Sequence, residues 1–527
     1  MKNINTKNAK IFSIIIKSLI FFSVLFLLIL FIRTKILADD KAHITYPNDR
    51  NINLDANDSF PNNIKEIEKL IGEKMSVGKI PGLSVAIVHG DNIIYKSGFG
   101  YADLESSKLA TSQTLYELGS NSKAFTALGI LQLEKDGLIH LNDSITKYIP
   151  WLKTKFKGNI ATITIEELLH HTSGISADTI FNIPVTTGKD AIKQTVKTLV
   201  GVELDNKPGD KYQYATINYD VLGLLIEKVS GQKYEDYIKD KILTPMKMNQ
   251  TYMYRNQIDG SNMSKGYKLF LRKPKKYEAP IYDGNKPAGY IISNINDMAK
   301  WLLIQMNSLP TSSFDSSLIN ASHIPNKSVQ PFGNGMNYAA GWIIRNNKGL
   351  EILHRGSNPN YSSSIIIRPH EKLGIVLLSN SNTFYSSTMC EEIMNILLKK
   401  TSTTTKIKDL NGMIDKICSI IILITTLLIC FKLYNLIKII KQLFFKKRGF
   451  QFKEKKTVIK IIFSTIFLVL INYALYILPY VLLKIKWNYI FVWYPFTIQI
   501  ALYFIYFSIW LVYIVSILKS GSKCISN

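Results

Sequence analysis

The stretch Glu117–Leu128, ELGSNSKAFTAL, sets a serine hydroxyl and a lysine amine three residues apart, at Ser120 and Lys123. On a helix that spacing puts both side chains on one face, within reach of each other. A lysine held out of water has its charged form penalised, and its neutral amine can then take the hydroxyl proton and turn the serine on a carbonyl carbon. A helix amino end at the same place adds partial positive charge where an oxyanion forms. Spacing alone does not single out this pair, because Ser76/Lys79, Ser144/Lys147, Ser230/Lys233, Ser516/Lys519 and Ser520/Lys523 fit S-x-x-K equally well.

The elements around these serines divide the chain. Its 527 residues carry a net charge of +25, which would fit nucleic-acid binding if it were spread evenly. It is not: residues 39–400 hold 41 basic against 36 acidic side chains, and the remaining excess flanks apolar runs, as in a membrane topology signal. Ile11–Ile32 is one such run, broken by Lys17. Residues 1–38 therefore read as a signal peptide cleaved after Ala38 or as a retained anchor. Ile36 and the bases Arg33 and Lys35 count against cleavage, and either version sends the chain from residue 39 onward out of the cytoplasm.

Three further apolar runs, at about 417–437, 458–482 and 489–518, are each long enough to span about 30 Å of hydrocarbon. The basic segment Lys441–Lys460 and the tail from Lys519 belong on the cytoplasmic side, meeting anionic lipid, which returns residues 39–415 to the outside. Trp487, Tyr489, Trp493 and Tyr494 cluster in the short outer loop, as interfacial aromatics do. Ser516 then lies in a span and Ser520 on the cytoplasmic side, so neither is a candidate. A transporter reading fits poorly, because residues 417–518 contain no aspartate and only Glu454, in the basic loop.

The outer region, 39–400, is expected to fold as an α+β domain with an antiparallel sheet flanked by helices. Gly82–Leu104 reads as two strands joined at His89-Gly90-Asp91-Asn92, and a matching set appears in Ala339–Asn347 and Tyr361–Asn380. Between them the period turns helical in Ser122–Leu138, Thr164–Gly174 and Asn218–Gly231, each closed by glycine. Cys390 is the one cysteine of this region, so no disulfide forms within it. Residues 401–416 read as a polar linker to a membrane module at 417–527 with three transmembrane helices.

Leu115–Pro150 as a whole closely resembles the active-site block of the serine β-lactamase and penicillin-binding-protein-like family, above all class C β-lactamases and their D,D-peptidase and esterase relatives. Leu168–Ile175 (LLHHTSGI), Pro208–Gly231 and Leu353–Pro369 come after it in the family's order, as do Ile242–Thr251 and Pro287–Trp301. The resemblance covers roughly residues 60–400. It implies that Ser120 is the nucleophile, Lys123 its proton acceptor and Tyr214 the group that passes protons among the serine, the lysine and the leaving group. His354 and Gly356 fall in a box where a basic residue faces a substrate carboxylate and glycine lets the strand approach. The Ser357 N–H would join that of Ser120 in an oxyanion hole, worth about 3–4 kcal/mol per donor.

Two departures bear on substrate. Thr216 stands where the family has asparagine, with one hydroxyl in place of an amide. Arg355 stands where a small residue is usual, and is expected to narrow the site or bind an anionic substrate. Adjacent His170 and His171 point about 100° apart on a helix and no acidic or cysteine pattern completes a zinc set, so they read as structural, with no metal or cofactor. The implied protein is a membrane-anchored extracytoplasmic serine acyl hydrolase acting on cell-wall peptides, D-amino-acyl esters or β-lactams. The alternative is a catalytically impaired penicillin-binding-like sensor that signals through its C-terminal helices.

Overall fold

A computed structural model describes residues 45–53, 61–258, 262–309, 314–400, 409–450 and 454–524. The expected leader or anchor at 1–38 and the linker residues 401–408 lie outside them. Two compact units emerge: residues 42–268 with 274–409, and 410–527 grouped with 269–273.

In the larger unit nine strands form one sheet: β1 (Asn51–Ile52), β2 (Gly82–His89), β3 (Asn92–Asp103), β4 (Lys108–Leu109), β5 (Asn337–Tyr338), β6 (Ile343–Asn346), β7 (Leu350–Asn358), β8 (Tyr361–Arg368) and β9 (Leu373–Ser379). Their order is β1-β3-β2-β9-β8-β7-β6-β5, with β4 on β3, and each pairing is antiparallel. The sheet is thus assembled from both ends of the domain, with β2 registered on β9 so that Ile87 faces Ile375. Strands β8 and β9 are buried along their whole length; the near-continuous apolar run of β9 requires it, and in β8 the serines at 362–364 are buried together with Ile365, Ile366 and Ile367.

Helices cover both faces. On one, α1 (Pro61–Gly78) brings Ile64, Ile67 and Ile71 against Met389 and Ile393 of α6 (Tyr385–Leu397). On the other lies the inserted helical region, with α2 (Ser122–Lys135), α3 (Ile165–Leu169), α4 (Ile217–Ser230) and α5 (Ile295–Gln305). There Phe125 of α2 stacks on Trp301 of α5 with ring centroids 3.9 Å apart. Helix α4 ends in Gly231 at φ 72°, as its sequence predicts. Helix α3 does not run on to Gly174: its start is fixed by a Thr164–Glu167 capping box, and the chain leaves helical geometry at His171, φ 55°.

The second unit holds α7 (Leu410–Phe444), α8 (Lys455–Leu483), α9 (Trp487–Trp493) and α10 (Phe496–Ser520). Helices α7, α8 and α10 are apolar and long enough to cross a membrane. Helix α7 begins at Leu410, inside the segment expected to be linker, because Leu410, Met413, Ile414 and Ile417 already carry the helical period. The expected single run 489–518 is two helices. Pro495 has no N–H to donate and bars Tyr494 from helical geometry, leaving it extended at φ −109°, ψ 172°.

Candidate active site

Ser120 sits in a 3₁₀ turn, Gly119–Asn121, that leads directly into α2, one turn earlier than a regular helix start. The turn is pinned from two sides. Before it, Tyr116–Glu117 pairs with Ile292–Ser293. Above it lies β7: a methyl group on Gly119, at φ 52°, would stand 2.4 Å from the Ser357 nitrogen, and one on Gly356 would stand 1.9 Å from the Leu118 oxygen. Only glycine at both places lets the serine turn press against the strand. Asn121 Nδ2 donates to Ser363 Oγ at 2.6 Å and Ser363 donates to the Leu118 oxygen at 2.5 Å, tying the turn to β8 as well.

Lys123 is fully buried. Its ammonium nitrogen stands 3.1 Å from Ser120 Oγ and 2.7 Å from the Ala288 carbonyl oxygen, and no carboxylate pairs with it among the described residues. The segment carrying Ala288 is held to α2 by Thr126, which donates to the Pro287 oxygen at 2.6 Å, and by the Ile291 N–H, which donates to Ser122 Oγ at 3.1 Å. Tyr214, just before α4, lies over the same lysine, with Nζ 5.1 Å from its ring centroid. Three of the expected residues, Ser120, Lys123 and Tyr214, therefore converge.

The third box divides. His354 and Gly356 are buried on β7, with Ser357 beside the Gly119 turn. His354 lies 6.3 Å from Tyr214 between ring centroids. Its Nδ1–H donates to the Arg355 oxygen at 2.9 Å and its Nε2 accepts from Tyr338 O–H at 3.0 Å. Burial, with the charge of Lys123 adding to it, pushes its pKa down to about 3, so the imidazole is neutral and is not the cation expected there. Arg355 is a correction of a different kind. Successive residues of a strand point to opposite faces, and its guanidinium lies on the α6 side, 3.0 Å from Glu391 and against the ring of Phe384. It neither narrows the cleft at Ser120 nor offers it a charge.

Thr216 is buried at the start of α4 and its hydroxyl caps nothing. An amide is present two residues later, but Asn218 is committed elsewhere, donating to His171 Nδ1 at 3.0 Å and accepting from Ser173 Oγ at 3.0 Å. His170 donates from Nδ1 to the Glu166 oxygen at 3.0 Å. His171 is instead a wall of the site, its ring 4.2 Å from that of Tyr214 and 4.6 Å from that of Tyr338. Burial drives its pKa well below the ordinary value, keeping a second positive charge away from Lys123. Sequence reasoning missed His171 and Tyr338 as site residues, and also the Ala288 carbonyl. The motif LLHHTSGI carried a signal for the first; a backbone oxygen has none. Among the described residues no group of three or more His, Cys, Asp or Glu side chains could hold a metal.

Known proteins resemble this chain in sequence and fold. A Beta-lactamase family model matches residues 67–392. Protein flp of Staphylococcus aureus (strain MW2) is 31% identical over 442 residues, covering 83% of this chain and 87% of its own length. Penicillin-binding protein 4* of Bacillus subtilis (strain 168) is 28% identical over 343 residues, 60% of this chain and 72% of its own. Among solved structures, the octameric penicillin-binding protein homologue from Pyrococcus abyssi matches with a TM-score of 0.58 at 29% identity, over 64% of this chain and 78% of its own. EstCE1, a hydrolase with promiscuous acyltransferase activity, matches with 0.57 at 17% identity over 64% and 98%, a likeness of fold alone.

Proposed function

The chain belongs to the Beta-lactamase family, whose members are serine hydrolases of small-molecule and peptidoglycan-type substrates, and on that premise we propose that it is a membrane-anchored serine acyl hydrolase. The observation that carries the proposal is the buried Lys123 nitrogen 3.1 Å from Ser120 Oγ, with no carboxylate in ion-pair contact with it among the described residues.

Ser120 Oγ attacks the substrate carbonyl as its proton passes to Lys123. The N–H groups of Ser120 and Ser357 stabilise the oxyanion, each worth about 3 kcal/mol in sites of this kind. Tyr214 relays the proton to the leaving group, which departs and leaves an acyl-serine. Water then attacks the acyl carbon, frees the acid and restores the serine proton. Cell-wall peptides, D-amino-acyl esters of wall polymers and β-lactams are the substrate classes proposed. The apolar α7, α8 and α10 anchor the chain, and the basic segment Lys441–Lys460 supports an orientation with the hydrolase outside the cell.

A second reading, a sensor that is acylated but releases the acyl group slowly, is favoured by one feature: Thr216 gives Lys123 no side-chain amide. Both readings require acylation of Ser120. A fluorescent acyl ester or an alkyl phosphonate should label the full-length protein, with the label lost in Ser120→Ala and kept in Ser76→Ala. Label retained in Ser120→Ala ends both readings, and an acyl label from the ester that persists for hours on the wild-type protein selects the sensor.

A further inference from the structure

Charge is distributed unevenly around the proposed nucleophile. The Lys123 nitrogen stands 3.1 Å from Ser120 Oγ and 5.1 Å from the centroid of the Tyr214 ring. Arg355, one residue from His354 along β7, turns its guanidinium to the opposite face and binds Glu391. Arg255 and Lys286 line a cavity of about 270 Å³ that includes none of Ser120, Lys123 or Tyr214, and each is paired there, Arg255 with Glu117 at 2.6 Å and Lys286 with Asp283 at 2.9 Å. His354 has both ring nitrogens engaged, by the Arg355 oxygen and the Tyr338 hydroxyl. The rest of this wall is aromatic: Tyr338 packs against Tyr212, which stacks on Phe332 with centroids 3.9 Å apart.

From this arrangement we propose that, of the substrate classes above, Ser120 takes by preference an ester with no carboxylate beside its scissile bond, and that His354 and its Tyr338 partner set that preference. The proposal rests on the serine-hydrolase reading above. A carboxylate next to the reacting carbonyl would leave water for a wall of rings, where an unpaired charge is costly. The nitrogen open to it would be that of Lys123, and a carboxylate seated there competes for the contact by which Lys123 reaches Ser120 Oγ. A free carboxylate thus disables the base that the reaction needs. A neutral ester does not. The bond from Ser120 Oγ to the acyl carbon forms, the carbon–oxygen bond to the alcohol breaks, and the proton taken by Lys123 ends on the departing alkoxide. Water then cleaves the acyl-serine to the free acid. An ester also asks less of this relay than an amide, whose nitrogen must be protonated before it leaves.

The test compares N-acetyl-D-alanyl-D-lactate with its methyl ester on the full-length, detergent-solubilised protein. Release of N-acetyl-D-alanine is followed, so that cleavage of the methyl ester itself is not counted; acyl group and scissile bond are then the same, and the pair differs in one carboxylate. The expected result is a kcat/KM at least about tenfold higher for the methyl ester, with the ratio falling in His354→Lys, which puts a cation on the wall. Equal or faster turnover of the free carboxylate, with the acyl group found on Ser120 by mass spectrometry, overturns the neutral-ester proposal and leaves the hydrolase reading intact. Failure of both compounds and of a phosphonate to modify Ser120 overturns the two together. Should His354→Lys not fold, the wild-type ratio decides alone.

Discussion

At Ser120 the lysine three residues on is fully buried, its amine shared between the serine oxygen and the Ala288 carbonyl. At Ser144 the lysine three residues on is 56% exposed and sits 2.9 Å from the Asp143 carboxylate, while the serine hydroxyl accepts from Thr146 at the start of a four-residue helix. Ser230 and Lys233 repeat the second pattern: the hydroxyl donates to the Ile226 oxygen at 2.6 Å and the lysine faces Glu227 at 3.4 Å. Identical spacing therefore yields a buried serine–lysine contact at Ser120 and, at Ser144 and Ser230, hydroxyls engaged with their own helices and lysines paired with nearby carboxylates. What separates them is burial and a carboxylate in direct contact: Lys123 is out of water with no ion-pair partner among the described residues, and Lys147 and Lys233 are partly exposed beside Asp143 and Glu227. An exposed pair of that kind contributes little to stability.

The largest effect that would break this contrast lies in the lysines. Lys123→Ala should lower turnover of an activated ester by about 10²–10⁴-fold, the range for removing a general base, whereas Lys147→Ala should leave it within about twofold, as for a surface pair. Equal losses in the two variants, measured as kcat/KM on proteins of matched melting temperature, would erase the distinction.

Gly356→Ala probes the second difference, the strand pressed onto the serine turn. A β-carbon there meets the Leu118 oxygen at 1.9 Å and must push β7 away. Acylation should fall by roughly 10²-fold, the cost of one misplaced oxyanion donor. Gly137, where an added carbon would meet nothing within 4 Å, serves as the control: its Ala variant should keep the rate of acylation and lose only stability, since its φ of 71° disfavours any side chain.

The smallest effect is on stability. His354 has a folded-state pKa of about 3 against its ordinary 6.5, so between those values the unfolded chain binds more protons than the folded one. The stability from keeping this ring neutral is complete above pH 6.5 and declines as pH falls, by about 2 kcal/mol from pH 6.5 to 5. His171 is lowered in the same direction by burial and adds to the slope. Scanning calorimetry should show a melting temperature falling over that interval, and His354→Gln should flatten the fall. Asp143→Asn at the decoy turn should leave the fall over that interval as it is in the wild type. A His354→Gln slope equal to that of the wild type would mean the ring is not held neutral.

Much of this was legible in the residues, and what was not has physical reasons. Ser120, Lys123 and Tyr214 lie in blocks whose order along the chain identifies them, and glycine at 119 and 356 marks close approach. The alternation of β7 also stood in the sequence: with His354 inward, Arg355 must face outward, so its assignment to the cleft neglected the period of a strand. Pro495 likewise announced the break between α9 and α10. The charge of His354 was not legible, because it depends on burial and on the charge of Lys123, brought near only by the fold. The Ala288 carbonyl belongs to the backbone, and no side chain advertises it.

The pairing of β2 with β9 has a consequence in time. It joins segments roughly 290 residues apart, and closing so long a loop must precede the contacts that reward it. Strand β7 hangs from β8 and β9, so the partner of the Ser120 turn arrives only when synthesis has passed residue 379. Until then the chain carries a serine and a lysine but no assembled oxyanion site, and a nascent or truncated copy ending before β9 should be inert toward every acyl donor.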